Sequence, residues 1–464
     1  MRRGRWAAAL AAAGLAGVPA VAQASTARAV YAKEVPSVPA TLTLRYDAAR
    51  GEANRVTVLP RLGDPAGVEL RDAGATIRAG NGCAQVDEHT VACTPSLFVG
   101  AFAELPASFA RVVVELGDGA DQATNRISLG PAGPRPRVAL SGGAGDDVLA
   151  GDDVASDEID GGPGDDRIAG GGGSDYLEGG PGRDRVSGGA GDDVLYDHDG
   201  QGRAGGRAVD IHAFDLLDAG RGRDQVSYAN RVDGVRVDLA RRRGADGDRL
   251  TSVEDAEGGH GADVLRGDRR PNRLRGGPGA DLLDGRTGSD RLTGGEGSDR
   301  LLGGAGRDIL EAGGDDRAGC GAGFDTVAYP GPADLVEIDC ERAIVAEPDG
   351  VWEVAMRLPL AVARDGEVTL RLADTRQADP FAGRIALFLR GVLLGRPSPP
   401  VRLRTGRQVV TSVRLVSAAL ARLHGAHRMA VTVALGGASF ITVLRAPSTR
   451  PPGRRIGPGG GVQA

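Results

Sequence analysis

The chain has 464 residues, 75 of them glycine, and aromatic residues make up only 3%. That length allows roughly two to four domains, but so few large rings exclude one conventional globular core and favour a thin, repetitive one. Acidic residues number 62 against 56 basic ones, Lys33 is the single lysine, and no basic tract argues for a nucleic-acid partner.

Arg2, Arg3 and Arg5 precede an Ala-rich apolar run from Trp6 to Val21, which ends in Ala22-Gln23-Ala24 before Ser25. This is the pattern of an export signal peptide over residues 1–24, cleaved after Ala24. The run is short for a membrane anchor, and no later stretch is long and apolar enough to span a bilayer. Without the leader, 53 basic residues face 62 acidic ones, a net charge near −9. The arginine pair also suits twin-arginine export, so the route stays open between that and the general secretory one. Either way the expected location is secreted and extracellular, where four cysteines should pair. Of the three connectivities open to them, local pairing is expected, Cys83–Cys93 and Cys320–Cys340; the spacings do not suit a zinc site.

Residues 25–137 read as an N-terminal β-rich cap region. TLTLRY (41–46), NRVTVL (54–59) and RVVVEL (111–116) alternate or run β-branched, with turn signals between them. LGDGADQAT (116–124) scans as a degenerate copy of the nine-residue word that follows, with Asp121 at its sixth place. A stack of such words needs a protected end, which this region could supply.

An array occupies 138–196. GGAGDDVLA (142–150) is followed by a looser copy at 151–160, which carries one extra residue. GGPGDDRIA, GGGGSDYLE, GGPGRDRVS and GGAGDDVLY then run in register from Gly161 to Tyr196. A second array starts at Gly258 and repeats GGHGADVLR, GDRRPNRLR, GGPGADLLD, GRTGSDRLT, GGEGSDRLL and GGAGRDILE to Glu311. The shared pattern is G-G-x-G-x-D-x-U-x, with U a large aliphatic residue. In the strand triplet x-U-x the middle side chain faces one way and its neighbours the other. Leu149, Ile168, Leu177, Val186 and Leu195 should therefore stack inward, and Val148 and Ala150 outward. Glycines open the loop backbone to positive φ and to close approach. The sixth-place aspartates recur once per word and should form a column whose carboxylates repel one another. One buried aliphatic per word does little against the entropy of ordering nine residues. A hard dication with oxygen ligands would reverse the repulsion, so binding and folding would be one event. Calcium suits an all-oxygen, flexible loop better than magnesium does. A disordered Gly/Asp-rich tract is the plain alternative, but it would have no reason to keep a nine-residue register.

The register breaks over 197–257, an irregular insertion. AGRGRDQVS (219–227) is one recognisable word, with Asp224 in place; VRVDLA (235–240) and DRLTSVEDAEG (248–258) look like longer rungs. Asp197, His198 and Asp199 resemble a metal cluster, but a solvated loop is the reading adopted. The second array, with its closing disulfide segment, spans 258–345. It holds nine acidic and nine basic residues over 258–311, against fourteen and three over 142–196. Asn272 stands in an Asp place, so calcium should bind more weakly there. CGAGFDTVA (320–328) is a last word, with Asp325 in place. Over 350–447, EVTLRLA, RIALFLRG, QVVTSVRLV, RMAVTVAL and SFITVLR read as antiparallel strands of a small β-sandwich, with SAALARLHG (417–425) a short helix or turn. The tail 448–464 is expected to be disordered.

The words at 138–330 closely resemble the haemolysin-type (RTX) calcium-binding repeat. The resemblance implies an all-β fold: a parallel β-roll, that is a right-handed β-solenoid, with two words per turn and calcium between successive loops, here with an N-terminal β cap and a C-terminal β-sandwich. Carried over residue by residue, it makes ligands of Asp147, Asp166, Asp175, Asp184 and Asp193, then of Asp263, Asp281, Asp290, Asp299 and Asp308. Asp224 and Asp325 would be lone members. Loop carbonyls, among them Gly161, Pro163, Gly170 and Gly172, would complete the shells. Asp157 is set aside because the extra residue shifts its register. Many RTX proteins leave the cell in one step on a C-terminal signal; the N-terminal leader here departs from that.

Such arrays are often joined to hydrolases, so catalytic signatures matter. No G-x-S-x-G elbow occurs; Ser174 and Ser439 each have glycine on one side only. No H-E-x-x-H occurs, and His424 and His427 follow an Ala/Leu segment. Paired carboxylates such as Asp146 and Asp147 belong to the repeat. The third place of the first-array words, Ala, Pro, Gly, Pro and Ala, offers no threonine row for ice. The reading adopted is a secreted, calcium-binding, non-catalytic protein, structural or adhesive at the cell surface, with calcium as its ligand and a cell-surface glycan or protein as an open partner. The alternative is a calcium-dependent secreted hydrolase or polysaccharide lyase with its site on the solenoid surface.

Overall fold

The computed structural model describes residues 24–32, 41–97 (62, 63 and 65 excepted), 109–127, 136–197 and 215–328, then Cys340 and a series of strands between Leu335 and Arg445. The leader up to Gln23, the segment 417–425, the tail 448–464 and His198, Asp199, His424 and His427 lie outside the described residues. Among those described the fold is all-β, and no helix is long and apolar enough to cross a membrane.

Each word contributes one short strand and the loop that carries the chain to the opposite sheet. Successive strands alternate between two sheets, so a residue pairs with its equivalent two words later. On one face Leu149 aligns with Ile168 and Ile168 with Val186; on the other Ile159 aligns with Leu177 and Leu177 with Leu195. All six are at most 3% exposed, whereas Val148 is 40% exposed, so the alternation of the triplet sets inside from outside. The second array repeats this with Leu265, Leu283 and Leu301 on one face and Leu274, Leu292 and Leu310 on the other. This is the parallel β-roll expected of the repeats. Its core is a double row of aliphatic side chains.

The parallel ladder starts before the first full word. Thr41–Asp47 pairs with Arg111–Glu115, which pairs with Arg137–Ser141. Arg55–Pro60 pairs with Gln122–Asn125, which pairs with Val148–Ala150. Antiparallel neighbours then close this end: Ser25–Ala32 lies on Thr41–Asp47, and Val68–Asp72 on Arg55–Pro60. The Cys83–Cys93 disulfide ties the hairpin of Cys83–Asp87 and Thr90–Cys93 at facing positions.

Between the arrays the two sheets behave differently. One runs through without a break, from Val194–Tyr196 to Gln225–Ser227, Asp255–Glu257 and Arg273–Gly279. In the other, Leu216–Arg221 pairs with Arg249–Thr251, while the second array resumes from Arg236–Asp238. Only single antiparallel bridges from Arg243, to Asp238 and to Arg249, span this seam among the described residues. At the far end both sheets turn antiparallel. Thr326–Ala328 pairs with Arg342–Ala346, which is followed by Glu353–Arg357, Glu367–Asp374 and Gln408–Leu415. Leu335–Val336 pairs with Ala438–Arg445, followed by Arg428–Leu435 and Ile385–Leu389. The expected strands of 367–445 are present. The Cys320–Cys340 disulfide joins the last roll strand of one sheet to this closing segment.

Candidate metal centre

The loop of one word, 161–166, shows what each glycine does. A Cβ on Gly161 would lie 2.3 Å from Asp166 Oδ2 and 2.5 Å from Gly179 O. The first glycine therefore leaves room for a carboxylate and for the carbonyl of the next turn. Gly162 holds φ +91° and Gly164 φ +153°, and a Cβ on either would run into the carbonyl of the turn below, Gly143 or Gly145. These two combine positive φ with close stacking. The same pair of oxygens surrounds other first-place glycines: Asp147 Oδ2 and Gly161 O at Gly142, Asp175 Oδ2 and Gly188 O at Gly170, Asp281 Oδ2 and Gly294 O at Gly276.

Each sixth-place aspartate uses one oxygen to hold the backbone. Asp147 Oδ1 accepts the Asp121 N–H at 2.7 Å, Asp166 Oδ1 that of Asp147 at 2.8 Å and Asp184 Oδ1 that of Asp166 at 2.8 Å. On the other edge Asp175, Asp193 and Asp224 accept in turn from Asp157, Asp175 and Asp193, at 2.8, 2.9 and 2.9 Å. Where the word opens on glycine, as at Gly142, Gly161, Gly170 and Gly276, the second oxygen faces the cradle beside it. In Asp121, Asp147, Asp166, Asp175, Asp184, Asp193, Asp224, Asp281, Asp290 and Asp308 it is buried and has no hydrogen-bond partner. A buried carboxylate oxygen left this way is costly unless a proton or a cation meets it.

Electrostatics point the same way. Burial pushes the carboxyl of Asp147 up to about 6, those of Asp166, Asp175 and Asp224 to about 7 and that of Asp184 to about 8. In the second array Asp281 rises to about 6 and Asp290 to about 7 for the same reason. The accepted N–H opposes the rise, and neighbouring carboxylates add to it less than burial does. Mutual repulsion, expected from the sequence to dominate, is thus secondary to lost hydration. Oxygen donors only, a backbone-held carboxylate and a cradle shaped by a missing Cβ fit a hard cation such as calcium.

The structure places the expected residues in two columns, one on each edge of the roll. One runs unbroken through Asp157, Asp175, Asp193, Asp224, Glu254, Asn272, Asp290, Asp308 and Asp325, the residues before successive strands of the continuous sheet. The other comes in two pieces, Asp121 to Asp248 and Asp263 to Asp316, interrupted at the seam. Asp224 and Asp325 are therefore not lone members; each accepts the N–H of the aspartate before it, Asp193 and Asp308. Asp157, set aside from the sequence, is in the column. It is 2% exposed, its Oδ2 and Gly170 O flank the missing Cβ of Gly151, and its carboxyl is pushed up to about 6 by burial. The extra residue of 151–160 is absorbed in the loop, where Asp152 Oδ1 accepts the N–H groups of Val154 and Ala155.

Among the expected carbonyls, Gly161 O and Gly170 O lie beside carboxylates, Asp147 and Asp157. Pro163 O accepts the Gly145 N–H at 2.8 Å, and Gly172 donates its N–H to Asp152 O at 2.8 Å. Asn272 shows the neutral substitute: its Oδ1 accepts the Asp268 N–H and its Nδ2 donates to Glu254 O, at 2.8 and 2.7 Å. Arg286, in a second-glycine place, takes φ +66° and forms two hydrogen bonds to Asp238, which ends the first strand of the second array's piece of the broken sheet.

Sequence reasoning missed Asp215, Asp248 and Asp316. The signal available was the D-x-U-x half of the word, as in Asp215-Leu216-Leu217 and Asp248-Arg249-Leu250, which persists where the glycine half has been replaced. It also misplaced Asp197, which is 4% exposed and pairs with Arg231 at 3.0 Å rather than lying on a solvated loop. A further unexpected feature is an open depression of about 720 Å³ at the seam, lined by Arg241, Arg242, Arg243, Asp246 and Arg249.

A family model of the RTX calcium-binding nonapeptide repeat (4 copies) matches residues 139–154, 160–195, 178–201, 257–292, 284–317 and 293–327. Those matches cover both arrays and leave the N-terminal cap, most of the seam and the C-terminal strands outside. Comparison with curated proteins gives no match.

Proposed function

Starting from a chain that carries RTX calcium-binding nonapeptide repeats, we propose that it is a secreted, non-catalytic protein whose roll folds on calcium and serves a structural or adhesive role at a cell surface. The observation that carries the reading is the file of buried second carboxylate oxygens without a partner, those of Asp147, Asp166, Asp175, Asp193, Asp281, Asp290 and Asp308 beside a neighbouring turn's carbonyl. Asp147, Asp157, Asp166, Asp175, Asp184, Asp193 and Asp224 in the first array would hold the ions, as would Asp263, Asp281, Asp290, Asp299, Asp308 and Asp325 in the second, together with Gly161 O and Gly170 O. Pro163 and Gly172 belong to the same loops and are proposed as further carbonyl donors. Calcium supplies the positive charge that these buried carboxylates lack. The chain's own part is to hold each Oδ1 on a backbone N–H, aim Oδ2 into the cradle and exclude water with the stacked glycine loops. Folding would then wait for millimolar extracellular calcium. Two disulfides agree with that compartment.

Circular dichroism of the chain without its leader tests this. Little β structure in chelator and a large gain on adding calcium are expected; the same spectrum in both would refute the reading.

An acidic glycan is the partner favoured by the arginine-lined depression at the seam, since guanidinium groups match carboxylate and sulfate geometry. The alternative, a calcium-dependent hydrolase or polysaccharide lyase, would use the same groove. Incubation with acidic polysaccharides separates them: retention without cleavage supports an adhesive role, and chain cleavage supports the enzyme.

A further inference from the structure

The seam holds a carboxylate cluster that the repeat pattern does not contain. Tyr196 ends the first array, and the residue after it, Asp197, stands where every complete word of that array has its first glycine. Residues 198–214 follow as an insertion, after which Asp215 resumes the column. One carboxylate oxygen from each of Asp197, Asp215 and Asp248 lies within 4.8 Å of the others, and all three residues are buried. In the arrays one such carboxylate faces a space kept open by glycine; here a second side chain fills that space with another carboxylate.

The partners around the cluster are specific. Asp215 Oδ1 accepts the Asp184 N–H at 2.9 Å and Asp248 Oδ1 the Asp215 N–H at 3.0 Å. Tyr228 donates its hydroxyl hydrogen to Asp248 Oδ2 at 3.0 Å and accepts the Ala245 N–H at 3.2 Å. Arg231 pairs with Asp197 Oδ2 at 3.0 Å and also with Asp246. Asp197 Oδ1 is left buried with no hydrogen-bond partner, on a residue 4% exposed. Arg231 thus divides its guanidinium between Asp197 and Asp246.

We propose that Asp197, Asp215 and Asp248 form a separate site for one hard divalent cation, of higher ligand charge than the array sites, which fills first and ties the two arrays together at the seam. Affinity in all-oxygen sites rises with the number of charged ligands and with rigidity. Three side-chain carboxylates, two of them fixed on backbone N–H groups, exceed the single carboxylate that each array loop offers. The position matters as well. Asp248 precedes Arg249–Thr251, the last strand on the near side of the broken sheet, so an ion here fixes the edge on which the ladder stops. The proposal stands apart from calcium binding by the arrays, and either could fail alone.

Terbium is the probe, because it replaces hard divalent cations and emits when a tyrosine close by is excited. The full chain without its leader is titrated with less than one equivalent of terbium. Emission is expected from the first addition, and Tyr228→Phe should remove most of it while keeping the ring. Asp197→Asn, which can still meet Arg231, should weaken this first binding about ten-fold or more. Glu296→Gln, an exposed carboxylate of the second array outside both columns, should leave it unchanged. An Asp197→Asn chain that binds the first equivalent as tightly as the parent overturns the proposal. Should that variant not fold, the parent and Tyr228→Phe chains decide: equal emission from the two overturns it, and loss in Tyr228→Phe supports it.

Discussion

At the level of single residues, the glycine and the aspartate of a word act as one unit. The first glycine is glycine because its missing Cβ is where the carboxylate and the next carbonyl converge, as at Gly161 with Asp166 Oδ2 and Gly179 O. Gly161→Ala should therefore remove calcium from that position and destabilise the calcium-loaded roll by about 1–3 kcal/mol, the usual cost of overpacking a tight site. Isothermal titration would show fewer bound ions and thermal melting a lower midpoint; an unchanged ion count would contradict the cradle. Burial raises the carboxyls of Asp147, Asp157, Asp166, Asp175, Asp184, Asp224, Asp281 and Asp290 to between about 6 and about 8, above their unfolded value near 4. A raised carboxyl favours folding only while protonated, so that contribution is complete below about 4 and lost as pH climbs through about 6 to 8. The metal-free chain should gain β structure on acidification across this window, whereas calcium affinity should fall as protons compete for Oδ2. Circular dichroism in chelator and calcium titration across the same pH range check the two signs. A metal-free chain better ordered at the alkaline end would contradict the account.

At the level of elements, the strand triplet carries the core. Leu301 is fully buried, aligned with Leu283 on one side and Ala318 on the other, while Arg300 beside it is exposed. Leu301→Ala should cost about 2–5 kcal/mol and Arg300→Ala no more than about 0.5 kcal/mol, read from denaturant midpoints in saturating calcium. Similar losses for both would mean that the alternation does not set the core. This part of the fold was legible, because glycine, aspartate and aliphatic residues recur in step and each has a separate physical task. The Asp157 half-turn was harder to read, since one added residue spoils a linear register that a loop easily absorbs. Asp215 and Asp248 were hidden because insertions replaced their glycine halves, leaving only D-x-U-x. Asp197 was misjudged because nothing in the linear order shows that the chain returns to the same edge after residues 198–214.

At the level of the whole molecule, the roll is a ladder with two aspartate-lined edges, one unbroken and one interrupted at the seam. The sequence announced the break in register but not that one sheet crosses it intact, since that depends on which edge Glu254 and Asn272 occupy. Arg241, Arg242 and Arg243 fall between the two rungs read from the sequence, 235–240 and 248–258, and only the bridges at Arg243 show that they sit where one ladder stops. Both ends are closed by antiparallel strands, which keeps the two sheets from offering open parallel edges to other chains. The central claim is that cations lie between successive turns, held by the second carboxylate oxygen and the neighbouring glycine carbonyl. Anomalous diffraction from crystals grown with calcium tests it most directly. Peaks are predicted along both edges, beside Asp166 Oδ2 and Gly179 O and at the equivalent pairs. Calcium-saturated crystals with no peak at those pairs, and the carboxylates turned out to solvent, would contradict it.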